Sequence, residues 1–204
     1  MVAQATTLPG PAPGFFSPLQ YLLTINQTRH AMQAVHCSRE RHGDAILDIF
    51  NDAILHSTAL YEYQPRTPQR IDEWFSAKTQ GGFPVLGIED DDGSLAAFGS
   101  YGAFRAFPAY KYTVEHSVYV HRSHRGRGIG RALMTQLIAA ARDQQYHVLV
   151  GAIDMDNQAS IALHASLGFT HAGTVRQAGF KFGRWLDVGF YQLTLATPLQ
   201  PVDG

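Results

Sequence analysis

The spacing of apolar residues predicts two amphipathic helices in the first half of the chain. Apolar side chains recur every three or four positions over residues 45–54, and Asp44 just before them is a suitable N-cap residue. A second helix is predicted over residues 67–79, because the Thr67 hydroxyl can cap it and Pro68 presets the φ angle of its first turn. Each helix would place one apolar face against a core.

A hairpin and a two-faced strand are predicted next. The apolar residues 84–88 and 95–101 flank an acidic turn that ends in Gly93, a pattern typical of two antiparallel strands joined by a hairpin. Residues 113–120 alternate strictly between two sets of side chains, as a strand with two different faces does. One face of that strand can carry chemistry while the other packs.

The second half of the chain alternates helices and strands. An apolar stripe over residues 128–143 predicts a helix, and the apolar run 147–153 predicts a strand covered on both faces. A further helix over residues 157–167 and a last strand over 188–195 follow. This order predicts a mixed α/β layer with a βαβ unit at its centre.

The ends of the chain are expected to lie outside the fold. Four prolines fall within the first 24 residues, which cannot sustain a helix, so residues 1–30 are predicted to be a disordered or extended tail. Residues 31–198 are expected to form a single domain, and residues 199–204 a second tail.

Composition removes several function classes. Of the 204 residues 45% are hydrophobic and 16% charged, and the formal net charge of −1 gives no field that would gather nucleic acid or an anionic membrane. The single cysteine, Cys37, excludes an intramolecular disulfide. No apolar run approaches the roughly 20 residues of a transmembrane helix. Because the N-terminus also lacks a signal-peptide pattern, the expected location is the cytoplasm.

A glycine-rich turn joins the two-faced strand to the next helix. Gly126, Gly128 and Gly130 remove side chains there, so that backbone N–H groups and the positive end of the helix can approach an anion. The spacing fits neither a nucleotide P-loop nor a dinucleotide-binding turn, which leaves coenzyme A. Such a turn can also be no more than a tight strand-to-helix connection.

Three separate motifs resemble one family. Arg125-x-x-Gly128-x-Gly130, directly after Val118-Tyr119-Val120, resembles the coenzyme A signature of the GNAT acetyltransferase superfamily. The strings TVEHSVYV, NQASIALHASLGF and GFKFGRWLDVGFYQL resemble its phosphinothricin acetyltransferase group, and most closely the relatives that acetylate methionine sulfone and methionine sulfoximine. The resemblance implies an α/β (α+β) GNAT fold, a mixed central sheet flanked by helices whose central β-α-β unit binds acetyl-CoA, in a homodimer.

The resemblance also implies which residues bind acetyl-CoA, the expected co-substrate. They lie at the end of the two-faced strand, in the glycine turn and at the start of a later helix: Val118, Tyr119, Val120, Arg125, Gly126, Arg127, Gly128, Ile129, Gly130, Arg131, Asn157 and Ser160. Asn157 and Ser160 would equally serve as helix-capping residues, and both roles can hold at once.

Acetyl transfer to an amine needs a general base, because the amine is mostly an ammonium ion at neutral pH. Glu115 matches the family position of the catalytic base and His164 matches its second implicated residue. Without the motifs, a strand glutamate is more often a surface residue and a histidine on an apolar helix is more often structural. Glu115 is therefore ranked first and His164 second, as a helper base or substrate-orienting residue.

The acceptor amine is expected to lie near Arg105, whose guanidinium can clasp a carboxylate. Arg105 and Phe107 resemble the Arg-x-Phe segment of the methionine sulfoximine enzymes, whereas phosphinothricin enzymes carry a basic residue in place of Phe107, which disfavours a phosphinate. The full set of predicted substrate-binding residues is Arg105, Phe107, Tyr110, Glu115, His116 and Ser117. Trp185 would wall the pocket or merely pack, and without a clear tyrosine donor the leaving thiolate is expected to take a solvent proton.

Two alternatives stay open at this point. The acceptor could be another amine, such as an antibiotic, a polyamine or a protein N-terminus, or the chain could be a non-catalytic acyl-CoA sensor. The histidines His116, His121 and His124 lack the accompanying ligands of a metal site, so no metal is expected.

Overall fold

The central feature of the fold is a mixed sheet with helices on both faces. The computed structural model describes residues 32–203, so the prediction for residues 1–30 lies outside the described part. The described elements are β1 Gln33–His36, α1 Arg39–His56, α2 Pro68–Gln80, β2 Val85–Glu89, β3 Leu95–Ala103, β4 Thr113–Val120, α3 Ile129–Asp143, β5 Val148–Asp154, α4 Gln158–Ser166, β6 Thr170–Lys181 and β7 Arg184–Thr194. The seven strands are ordered β1-β2-β3-β4-β5-β7-β6, and β4 and β5 form the parallel pair.

The helix starts follow local capping. The Thr67 hydroxyl accepts a hydrogen bond from the Arg70 backbone N–H at 3.4 Å, and α2 begins with Pro68 as predicted. The cap assigned to Asp44 is wrong, because α1 begins a full turn earlier, where the Ser38 hydroxyl accepts from the Arg41 N–H at 3.3 Å. Asp44 is therefore an exposed residue inside the first turns of the helix.

Two strands were not predicted, and a third starts earlier than expected. Strand β1 has four residues, too few for a visible alternation, and lies at the edge beside β2. Strand β6 is exposed along most of its length and carries two register shifts, so its side chains show no apolar period. Strand β7 begins at Arg184 rather than residue 188, because it pairs with β6 from Arg184 onward in the β6–β7 hairpin.

Hydrophobic clusters lie on both faces of the sheet. Leu133 and Leu137 of α3 pack with Leu149 on one face, and Ile46 and Phe50 of α1 pack with other aromatic residues on the opposite face. These five side chains are at most 2% exposed, and such burial of apolar surface is the largest favourable contribution to folding. Within residues 32–203, no helix is long and apolar enough to cross a bilayer.

Strand β4 divides its side chains between these two clusters. Val114 belongs to the cluster under α3, and Tyr119 belongs to the cluster under α1. Since alternate side chains of a strand point to opposite faces, Glu115 shares the α1 face with Tyr119 and His116 shares the α3 face with Val114. The predicted base Glu115 and the predicted substrate-binding residue His116 thus lie on opposite sides of the sheet.

The parallel pair at the centre of the sheet is incomplete. Strand β4 pairs with β5 only at Thr113, Val114 and Glu115, whereas it pairs with β3 along its whole length to Val120. Beyond Glu115 the backbone of β4 therefore has no strand partner on the β5 side. The sheet opens there, directly before the glycine turn and α3.

Candidate active site

The glycine turn has the backbone geometry of an anion site. Gly126 and Gly128 have φ angles of 77° and 79°, a left-handed conformation that a residue with a side chain rarely adopts. A Cβ atom added at either position would have no neighbour within 4 Å, so the turn faces open space. Gly128 is also the N-cap of α3 and supplies no side chain to cap it. The N–H groups of Ile129 and Gly130 are therefore available for an anion such as a pyrophosphate, whereas the Arg131 N–H donates to the Gly128 carbonyl at 3.1 Å.

The arginines of this turn contact protein groups. Arg125 Nη2 lies 3.1 Å from Asp52 Oδ2, Arg127 Nη1 lies 3.6 Å from Asp90 Oδ2, and Arg131 Nη1 donates to Ser166 Oγ at 2.6 Å. These side chains tie the turn to α1, to the β2–β3 hairpin and to α4. An anion bound at the turn would consequently be held mainly by backbone N–H groups.

Helix α4 closes the β5 side of the opening. The Asn157 side chain caps it, since Asn157 Oδ1 accepts from the Ser160 backbone N–H at 3.1 Å. The capping role expected for Asn157 is thus confirmed. The Ser160 carbonyl in turn accepts a hydrogen bond from His164 Nδ1 at 2.7 Å.

His116 and His164 form a buried pair. Their Nε2 atoms are 2.9 Å apart, and both residues are 6% exposed. Because His164 Nδ1 carries the proton donated to the Ser160 carbonyl, the neutral His164 ring has only Nε2 as an acceptor, and His116 must donate to it. Burial, with a smaller contribution from His164, lowers the pKa of His116 to about 3, and burial lowers the pKa of His164 as well. The lone pair of His164 is therefore already used within the protein.

Glu115 lies at the point where β4 and β5 part. Its side chain is half-buried, and burial raises the pKa of its carboxyl group above the usual value, an effect partly offset by Arg105. Arg105 Nη1 is 4.0 Å from Glu115 Oε2. Glu115 accordingly remains open to solvent on one side while its proton affinity moves toward the neutral range.

The predicted acceptor residues fall into three places. Arg105, Phe107 and Tyr110 line a shallow pocket of about 220 Å³ beside the start of β4. Glu115 is not part of that lining, and only Arg105 reaches both the pocket and the carboxylate. Ser117 lies two residues beyond Glu115 on the same face of β4. His116, also predicted to bind the substrate, lies on the opposite face of β4 from Glu115 and Ser117.

The remaining predicted residues have local partners. His121 Nδ1 contacts Ser123 Oγ at 2.7 Å, and His124 Nε2 contacts Asp90 Oδ2 at 2.9 Å. Trp185 is exposed and packs edge-on against Phe180. Among residues 32–203, no three histidine, cysteine, aspartate or glutamate side chains are grouped so that they could hold a metal ion.

Three residues near the site carry no sequence signal. Asp52 binds two arginines of the segment before the glycine turn. Gly151 of β5 faces the histidine pair, where a Cβ atom would lie 2.9 Å from His116 Cε1. Lys78 donates to the Tyr101 carbonyl at 2.8 Å, beside the strand partner of Glu115, and burial lowers its pKa to about 8. Each contact joins distant parts of the chain, which a single sequence cannot reveal.

A mixed sheet that parts at its centre beside a glycine turn defines the acetyltransferase class of α/β proteins. The chain belongs to the Acetyltransferase (GNAT) family, whose model matches residues 45–169. The fold expected from the sequence motifs is therefore confirmed.

Individual relatives agree with this assignment. A protein of Escherichia coli (strain K12) named L-amino acid N-acyltransferase MnaT is 42% identical over 168 residues, which are 82% of this chain and 97% of that protein. A Salmonella typhimurium protein named L-methionine sulfoximine/L-methionine sulfone acetyltransferase is 44% identical over 151 residues, covering 74% of this chain and 88% of its own length. The structure of yncA from Salmonella typhimurium with its cofactor acetyl-CoA is 42% identical, with a TM-score of 0.77 and coverage of 80% and 94% of the two chains.

Proposed function

We propose that this chain transfers the acetyl group of acetyl-CoA to the primary amine of a small amino acid or amino acid analogue. The observation that carries the proposal is the parting of β4 and β5 directly after Glu115, next to an open glycine turn. Relatives that are named for amino acid, methionine sulfone and methionine sulfoximine substrates support this acceptor class.

Acetyl-CoA would supply the activated acetyl thioester, and the chain would bind and orient it. The turn from Gly126 to Arg131 offers backbone N–H groups to the pyrophosphate. The backbone of Val118 and the N–H group of Val120, unpaired with β5, offer hydrogen bonds to the pantetheine arm and to the thioester carbonyl, whereas the Val120 carbonyl already accepts from Arg125. Helix α4, with its cap Asn157 and Ser160 in its first turn, would form the other wall of the gap between β4 and β5.

Glu115 is the general base in this proposal. A carboxylate with a raised pKa accepts a proton from an ammonium ion more readily, and Glu115 keeps one side open to solvent for a substrate or a relaying water. His164 is the weaker candidate, because its accessible lone pair is occupied by His116. The His116–His164 pair then supports β4 and α4 from the opposite face.

The acceptor's carboxylate would pair with Arg105. Arg105 now lies 4.0 Å from Glu115, so an incoming zwitterion can place its ammonium at Glu115 and its carboxylate at the guanidinium. Phe107, exposed at the pocket rim, adds apolar surface to a lining that also contains the positive charge of Lys111. The resemblance of Arg105 and Phe107 to the Arg-x-Phe segment of the methionine sulfoximine enzymes, rather than the charge of the pocket, favours a neutral sulfone or sulfoximine side chain over a phosphinate.

The leaving thiolate would take its proton from solvent. The tyrosine of β4, Tyr119, is buried between Phe50 and Phe98, and burial raises its pKa to about 12. A phenol in that position packs in the core beneath α1 and does not face the gap between β4 and β5. The side chain of Tyr119 would therefore not supply this proton, and its backbone pairs with Phe98 of β3.

A thiol-release assay tests the proposal. Purified protein with acetyl-CoA should release free thiol when methionine sulfone or methionine sulfoximine is added, and less with phosphinothricin. Glu115→Gln should lower kcat by roughly 10²-fold or more, because the amine loses its proton acceptor. His164→Gln is the matched comparison and should cost less.

The outcomes of this assay distinguish the proposed function from its two alternatives, and Glu115 from His164 as the base. Release with polyamines, antibiotics or peptide N-termini, but not with amino acids, would move the acceptor to another amine class. Coenzyme A binding without release by any amine would make the chain an acyl-CoA sensor. A larger loss in His164→Gln than in Glu115→Gln would transfer the role of base to the histidine.

We also infer that the protein acts in the cytoplasm as a homodimer. The family resemblance implies the homodimer, and the single cysteine suits a reducing compartment such as the cytoplasm. The neutral overall charge suits a small-molecule acceptor rather than a nucleic acid or a membrane.

A further inference from the structure

A buried carboxylate lies behind the glycine turn. Asp52 belongs to α1, and its side chain is 8% exposed. Helix α1 is held in the core by Ile49 and Phe50, which are almost fully buried. Asp52 is therefore fixed on a rigid element that faces the segment between β4 and α3.

Two arginines of that segment converge on Asp52. Arg122 Nη1 lies 3.1 Å from Oδ1, and Arg125 Nη2 lies 3.1 Å from Oδ2, so each carboxylate oxygen has its own guanidinium. Arg125 also donates from Nε to the carbonyl of Val120 at 3.2 Å. The Arg125 side chain thus links Val120, the last residue of β4, to Asp52 of α1. Arg125 directly precedes Gly126 in the chain.

Two guanidiniums face one carboxylate at this contact, so the arginines outnumber the negative charge that they surround. Burial alone would raise the pKa of Asp52, but the hydrogen bond from Arg122 and the charges of both arginines outweigh it and lower the pKa below the usual value. Asp52 is therefore ionised at neutral pH. His56 Nδ1 lies 3.3 Å from Oδ1 and completes the set of groups around the carboxylate.

We infer that Asp52 is a positioning residue for the coenzyme-binding turn. By holding Arg122 and Arg125 it fixes the chain that enters the turn, so that the N–H groups from Gly126 onward are already oriented when the anion arrives. The inference rests on the proposed function, because it assumes that coenzyme A binds at this turn. It assigns Asp52 no contact with either substrate.

Replacing Asp52 by asparagine tests the inference. Asp52→Asn keeps the size of the side chain and removes the charge, while both arginines remain more than half exposed and can be solvated. The KM for acetyl-CoA and the Kd for coenzyme A measured by calorimetry should rise about tenfold, or 1.4 kcal/mol. The kcat and the KM for the amine should stay within about twofold, because the reacting groups are untouched.

Asp44→Asn is the matched control. Asp44 lies on the same helix, its side chain is 95% exposed, and its ion-pair partner Arg39 lies 3.6 Å away. This variant should bind coenzyme A as the wild type does. An equal loss in both variants would mean that the charge of α1 acts at a distance, and would overturn the assignment to Asp52.

A variant that keeps Asp52 keeps the test valid if Asp52→Asn folds poorly. Arg122→Gln removes one of the two ion pairs and leaves Arg125 on Asp52, so the Kd for coenzyme A should rise, by less than the tenfold expected for Asp52→Asn. An unchanged Kd in Arg122→Gln would contradict the inference, and where Asp52→Asn does fold a double variant extends the test. The double variant Asp52→Asn/Arg122→Gln should bind no more weakly than Asp52→Asn alone. Additive losses would overturn the inference.

Two results contradict the inference in other ways. An unchanged Kd for coenzyme A in Asp52→Asn would show that the turn needs no anchor on α1. A lower Kd would show that Asp52 restrains arginines that otherwise bind the coenzyme. If the wild-type protein itself fails to bind coenzyme A, the proposed function fails instead, and the two failures are distinguished before any variant is made.

Discussion

At the scale of single residues, hydrogen bonds decide between the two candidate bases. A general base needs a free lone pair within reach of the ammonium ion. His164 has its Nδ1 proton on the Ser160 carbonyl and its Nε2 lone pair on His116, whereas Glu115 keeps part of its carboxylate exposed. Sequence motifs could rank the two residues but could not show that His164 is already occupied, because its partner is 48 positions away.

The histidine pair should make stability depend on pH. The pKa of His116 is about 3 in the folded protein and about 6.5 when the chain is unfolded, so below pH 6.5 the unfolded state binds the extra proton. The stabilisation is complete above pH 6.5 and is lost as the pH falls toward 3. The free energy of unfolding should decline by up to about 1.4 kcal/mol per pH unit in this window.

Urea titrations from pH 7 to pH 4 measure this slope. His116→Gln, which keeps a donor for His164 but does not titrate, should show a clearly smaller slope than the wild type. His171→Gln removes an exposed histidine of β6 and serves as the control, with a slope like that of the wild type. Parallel curves for all three proteins would contradict the assignment of a neutral buried His116.

At the scale of elements, the central strands were predictable and the edges were not. The alternation of β4, the apolar run of β5 and the stripe of α3 all reflect burial, which leaves a periodic signal in the sequence. Strands β1 and β6 gave no such signal, because one is very short and the other is mostly exposed. The same limit applies to the site: the glycine turn is local, whereas the contacts of Asp52 and Gly151 arise only on folding.

Strand β5 must carry a glycine where it faces the two histidines. A Cβ atom at Gly151 would lie 2.9 Å from His116 Cε1 and 3.1 Å from His164 Nε2, so Gly151→Ala should force the rings apart. We expect it to lower the free energy of unfolding by about 1–3 kcal/mol, measured by urea denaturation. Gly102→Ala in β3 is the control, because its Cβ atom would meet only the flexible tip of Lys78 at 3.3 Å. Equal stabilities of the two variants would mean that the two histidine rings move apart at little cost in free energy.

At the scale of the whole molecule, the two faces of the opening separate two tasks. The glycine turn and α4 border the side where coenzyme A is proposed to bind, while Glu115 lies on the face covered by α1, 4.0 Å from Arg105 of the loop after β3. Acetyl transfer by direct attack requires acetyl-CoA and the amine to be bound at the same time, with their reacting atoms close together. A gap between β4 and β5 that each substrate enters from its own side would allow this. The Asp52 contacts join these parts, since α1 packs on the same face as Glu115 and Asp52 holds Arg122 and Arg125 of the segment that enters the turn.

The proposed homodimer has a testable surface in the β6–β7 hairpin. Phe180, Phe182 and Trp185 are each 46–59% exposed, and Phe180 and Trp185 pack edge-on together. Monomeric proteins rarely leave such side chains grouped in water, so a second copy of the chain covering them would remove apolar surface from solvent. Light scattering should then give twice the chain mass of 22.5 kDa.

Trp185→Arg should shift the protein toward the monomer, because a charge would be buried in the interface. Val202→Arg places the same charge on an exposed apolar residue near Tyr112 and should leave the mass unchanged. A wild-type protein that is monomeric at micromolar concentration would remove the homodimer from the proposal and leave its chemistry intact, since every group assigned a role in catalysis belongs to one chain.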